Sequence, residues 1–114
     1  MAVYLSYFNN PNVKRSNRKK YSIARHQFID MPKAGELLVP RILFENHKKG
    51  LVSFEDLCAI YYLEVLEKLD AKSIADKYDG AILCCHEKER CHRIMIKYWL
   101  ENKGLEVEEY KRNT

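Results

Sequence analysis

The chain has 114 residues, 46% of them hydrophobic and 32% charged, which is the balance of one domain with a buried core. No apolar run comes near the roughly 20 residues that span a bilayer, and the N-terminal stretch has no signal-like apolar segment, so no membrane partner is expected and the cytoplasm is the expected location. The net charge of +4 is uneven: residues 1–57 carry ten Lys/Arg against five Asp/Glu, and residues 58–114 carry ten against eleven.

In chain order, residues 2–8 are rich in β-formers and end at an Asn/Pro turn signal, which predicts a first strand. Residues 9–23 are polar and read as a basic loop. Within it Lys14, Arg15, Arg18, Lys19 and Lys20 place five cations in seven positions. Such a cluster either is a solvated loop or grips phosphate, as nucleic-acid proteins do. Residues 25–30 suggest a short second strand, stopped before Pro32. A helix is expected to begin after Pro40 and to stop at Gly50.

Ser53 and Asp56 resemble a capping box that opens a helix to about Leu69, with Leu57, Ile60, Tyr61, Val65 and Leu66 at helical spacing. A second helical piece covers residues 70–78. Residues 81–85 are then a short continuous apolar strand, of the kind buried on both faces of a parallel sheet. A helix from Cys91 to about Lys103 ends at Gly104, and residues 105–110 alternate as a last, edge strand. This order argues for an α/β sandwich around a mostly parallel sheet with right-handed crossovers.

The chemistry-bearing residues crowd between the 81–85 strand and the helix after it. Successive strand residues face opposite ways, so Cys84 is assigned to the core and Cys85 to the site. The short loop brings Cys91 near the strand's carboxyl end, where open α/β sheets bind ligands. His92 shares an apolar stripe with Ile96 and Trp99 and is expected to turn inward, while Arg93 points outward or across the helix end. Without a secretory signal the four cysteines are expected to stay reduced.

Four readings compete for this cluster. The first is plain packing, with Cys85 and Cys91 buried and Glu87 paired with an arginine. The second is an anion or nucleotide-phosphate site, with Arg90 and Arg93 offering fork-shaped donors beside the helix N-terminus. The third is a thiol enzyme: Cys91 or Cys85 is the nucleophile, with His92 or Glu87 moving the proton. Cys84 and Arg90 share the Cys-x5-Arg spacing of cysteine phosphatases, but the intervening residues lack a phosphate-cradling glycine and bring two glutamates. The fourth is zinc on Cys85, Cys91 and histidine. Against it stand the absence of paired short knuckles and the angle of about 100° between successive helical residues. No cofactor is therefore expected.

At these residues the chain resembles the "domain of unknown function 488" family of small bacterial and phage proteins. The matched pattern is an apolar strand with Cys85, Glu87 and Lys88, then Cys91, His92 and Arg93, then Trp99, Leu100, Gly104 and a last strand through Val107, Glu108 and Glu109. The match runs from about Ser53 onward; His86 stands where an aromatic is usual, and the loop before Cys91 is a residue or two shorter. The resemblance implies a single three-layer, Rossmann-like domain without an established activity. The leading expectation is an anionic ligand, nucleotide or nucleic acid, held by Cys85, Lys88, Arg90 and Arg93 with the basic segment alongside. The runner-up is a cysteine enzyme with Cys91 as thiolate, His92 as proton carrier and Glu87 orienting it. A non-catalytic interaction protein is the third.

Overall fold

The computed structural model describes residues 2–25, 30–86 and 91–110. Its frame is a four-stranded sheet of β1 (Val3–Tyr7), β2 (Lys20–Ser22), β3 (Ile82–Cys85) and β4 (Val107–Glu109), in the order β2-β3-β1-β4. All three pairings are parallel: Tyr4 lies opposite Ile82, Lys20 opposite Ile82, and Val3 opposite Val107.

The helices are α1 (Pro11–Arg15), α2 (Arg41–Lys48), α3 (Phe54–Glu64), α4 (Ala71–Lys77) and α5 (Arg93–Asn102). Alternation along β3 divides the core. Leu83 and Cys85 join Val3, Leu5, Leu57, Tyr61, Ile96, Trp99 and Leu100 on the side of α2 to α5. Ile82 and Cys84 join Phe8, Val13 and Tyr110 on the side of α1. Helices thus cover both faces of the sheet. A constant crossover hand demands this arrangement: the chain moves one way across the sheet from β1 to β2, and the opposite way from β2 to β3 and from β3 to β4. Trp99, Leu100 and Ile96 are fully buried and fix α5 on the sheet.

Local chemistry sets the element ends. Ser53 caps α3, its Oγ accepting from the Asp56 N–H at 3.0 Å, as the Ser53/Asp56 pattern predicts. Asp70 caps α4 in the same way through the Ser73 N–H. Gly104, at φ +75°, ends α5 in a conformation that a Cβ disfavours.

Two expectations need correction. The helix from Ser53 does not run to Leu69: it stops at Glu64 and continues as a 3₁₀ turn, Leu66–Lys68. An unbroken α-helix would hold Leu66 about 140° from the buried Tyr61, and the tighter turn returns Leu66 to the core, where it is fully buried. The 9–23 segment is not a loop. It holds α1 and β2, and β2 is organised by its ladder to β3 and by Ile23, whose N–H donates to the Cys84 carbonyl at 2.8 Å. A strand at 25–30 falls largely on residues 26–29, outside the described residues.

Candidate functional site

Adjacent parallel strands whose connections leave on opposite faces create a crevice at their carboxyl ends. Here those strands are β1, followed by α1 on one face, and β3, followed by α5 on the other. Phe8 and His86 meet there edge to face at 4.9 Å, and the Phe8 N–H donates to the Cys85 carbonyl at 2.9 Å.

Beside this crevice, on the α2 and α3 side, lies a cavity of about 130 Å³. Cys85, His86, Cys91 and His92 form one wall, Ala24, Arg25 and Val39 a second, and Phe44, His47, Phe54 and Leu57 a third. The expected place, between the end of the 81–85 strand and the start of the following helix, therefore opens into a cavity. Cys84 lies on the opposite face, in the core, where burial pushes its thiol up to about 12.

Cys85 and Cys91 are joined as a disulfide, while Cys58 and Cys84 are buried and lie outside it. This corrects the expectation that all four cysteines stay reduced: the short connection from β3 to α5 brings the two sulfurs together. Cys85 Sγ also accepts from Arg93 Nη1 at 2.9 Å, and His92 Nδ1 lies 3.7 Å from Cys91 Sγ.

His92 does turn inward. It is 9% exposed, its ring packs edge to face on Tyr61 at 4.9 Å, and Tyr61 in turn donates to the Leu37 carbonyl at 2.6 Å. Nε2 of His92 is buried without a hydrogen bond of good geometry among the described residues, although the Ile23 and Leu37 backbone lies close enough to favour the charged form slightly. Burial dominates and pushes the imidazole down to about 4. A histidine that stays neutral near pH 7 does not hold a neighbouring thiolate as an ion pair.

Arg93 crosses the helix end and is 4% exposed. Its Nε pairs with Glu109 Oε1 at 2.8 Å, and its guanidinium sits 5.9 Å from the centre of the Tyr7 ring. The fork expected to grip a ligand thus bonds β4 and the Cys85 sulfur instead. Stripe analysis could not show this, because Glu109 lies 16 residues further on and reaches Arg93 only through the sheet order.

The basic segment does not lie alongside the cavity. Arg18 Nη1 donates to the Gly80 carbonyl at 3.0 Å and its guanidinium stacks on Tyr4, 4.5 Å from the ring centre. The Lys19 carbonyl accepts from the Ile82 N–H, and Lys20 Nζ bonds the Ser16 carbonyl. These contacts sit at the amino end of β3, about 10 Å of strand away from Cys85. Lys14, Arg15 and Lys19 are exposed, with Lys14 and Arg15 on α1 and so on the opposite face. Glu87, Lys88 and Arg90 lie outside the described residues.

Sequence reasoning missed Arg25, His47, Phe44 and Phe54. Arg25 donates from Nε to the Val39 carbonyl at 2.7 Å and makes no ion pair among the described residues. His47 Nδ1 bonds the Val52 carbonyl at 2.8 Å, an acceptor, so Nδ1 carries the hydrogen. These residues stand 31 to 60 positions from Cys85 in the chain, and no local pattern marks them. Among the described residues no group of three or more His, Cys, Asp or Glu side chains could hold a metal ion, and no helix is long and apolar enough to cross a membrane. Comparison with family models, with curated proteins and with solved structures yields no match.

Proposed function

We propose that the cavity binds a small anionic ligand, with Arg25 and the first turn of α5 facing its charged end. The supporting observation is the lining itself: one arginine, three histidines and, among the described residues, no carboxylate. An arginine without an ion-pair partner is the natural recognition group for a phosphate or carboxylate, and the positive end of a helix adds to it. Phe44, Phe54, Leu57 and Val39 supply apolar walls for the ligand's body. A cavity of 130 Å³ suits a single small ring, since about 150 Å³ accommodates a benzene-sized guest. On this reading a nucleotide would place its base or one phosphate inside and leave the rest in the crevice.

The reading includes a Rossmann-like relation, supported by the parallel sheet and the crevice between β1 and β3, and membership of the domain of unknown function 488 family, supported by the matches at Cys85, Cys91, His92 and Arg93. The test is titration with inorganic phosphate and a panel of mononucleotides, following the amide resonances of residues 91–93. Saturable shifts are expected, weakened at least about tenfold in Arg25→Ala, which is about 1.4 kcal/mol. Silence across the panel at millimolar ligand overturns the proposal. Shifts produced only by oligonucleotides, at Lys14, Arg15 and Lys19 rather than at the cavity, would move the function to the basic segment.

A further inference from the structure

We infer that Cys85 and Cys91 are a two-electron thiol–disulfide couple that exchanges with a small anionic thiol entering the cavity. The anionic character of that thiol rests on the ligand reading above; the couple itself stands on separate observations. The two sulfurs are joined, and both residues line an open cavity although each is at most 3% exposed. A macromolecular thiol cannot reach them, whereas a molecule small enough to enter the cavity can. The two sulfurs also differ in surroundings. Arg93 Nη1 donates to Cys85 Sγ at 2.9 Å, so a charged guanidinium waits on the sulfur that would carry negative charge after cleavage. Cys91, at the start of α5, has a neutral imidazole nitrogen 3.7 Å away.

This asymmetry sets the direction of attack. The incoming thiolate forms a bond to Cys91 Sγ, the Cys85–Cys91 bond breaks, and its electron pair leaves on Cys85 beside Arg93, because the better-stabilised thiolate is the better leaving group. A second small thiolate attacks the outer sulfur of the mixed disulfide, releasing the small-molecule disulfide and Cys91 as thiolate, which takes a proton from solvent. Overall one protein disulfide and two small thiols give two protein thiols and one small disulfide. Cys84 cannot intervene, since β3 turns it to the opposite face of the sheet.

The experiment equilibrates the wild-type protein with mercaptoacetate and, separately, with the neutral mercaptoethanol, quenches with an alkylating agent and counts labels by mass. Residues 85 and 91 should gain or lose label together, and mercaptoacetate should react at least about tenfold faster per thiolate at low ionic strength, with the gap narrowing as salt is added. Equal rates for the two thiols overturn the anionic preference and leave the phosphate titration above to stand or fall by itself. Independent labelling of the two cysteines, or a disulfide that no small thiol opens, overturns the couple. Cys85→Ser gives a second readout. With the disulfide form of mercaptoacetate it should hold one adduct on Cys91, and an acid quench of the wild-type reaction with mercaptoacetate should catch the mixed disulfide on Cys91 as well; a wild-type mixed disulfide on Cys85 would refute the assigned direction.

Discussion

At the carboxyl end of the sheet Arg93 is sunk to 4% exposure against Glu109, Tyr7 and the Cys85 sulfur, whereas at the amino end Arg18 rests on the Tyr4 ring and the Gly80 carbonyl. Both arginines bridge a connection to the sheet. The first holds a charge out of water and depends on a charged partner, which makes it costly to disturb. The second keeps contact with solvent and uses uncharged partners. A guanidinium at the carboxyl end of such a sheet can therefore be structural, whereas Arg25 on the cavity wall makes no ion pair among the described residues.

The sharpest way to break this contrast is Arg93→Ala. It leaves Glu109 without its partner at a partly buried position and should lower stability by about 3 to 4 kcal/mol in urea unfolding. A loss below about 1 kcal/mol would mean that the pair contributes little, and the distinction between the two ends would fail.

Next comes the acid response of the same end. His92 titrates near its ordinary 6.5 when unfolded and at about 4 when folded, so between those values the unfolded state holds more protons. Stability should therefore be full above pH 7 and fall as pH drops from about 6.5 toward 4, by about 3 kcal/mol in all. His92→Gln should flatten this limb; an unchanged limb would assign the acid sensitivity to another group. Arg18→Ala should have the smallest effect, about 2 kcal/mol for one charged hydrogen bond and one cation–π contact. A value equal to that of Arg93→Ala would erase the contrast.

How much of this was legible beforehand depends on how local each cause is. The α3 start was readable because Ser53 and Asp56 act on each other across three residues, and β3 was readable as an unbroken apolar run. The opposite facing of Cys84 and Cys85 followed from the strand's period of two. β2 was not readable, since Lys20, Tyr21 and Ser22 form a strand through the ladder to Ile82, Leu83 and Cys84. The same holds for the site. Cys85, Cys91 and His92 lie close together in sequence and were found together, whereas Arg25 and His47 join them only after the sheet and α2 are in place. The bond from Arg93 to Glu109 is not legible locally, because β4 reaches α5 only through its place beside β1.

The strand order also bears on how the chain can be made. The register pairs Lys20 with Ile82, Tyr4 with Ile82 and Val3 with Val107, separations of 62, 78 and 104 residues (82 − 20, 82 − 4 and 107 − 3). β3 is the partner of both β1 and β2, so these two strands have no ladder to join until residues 82–85 have been made. On a ribosome the N-terminal strand must wait, with only helical segments able to form by local contacts, and the sheet closes late and over long loops. A nascent chain halted before residue 82 should lack the parallel ladders of the sheet, and one released just beyond residue 85 should be the first able to assemble β2, β3 and β1.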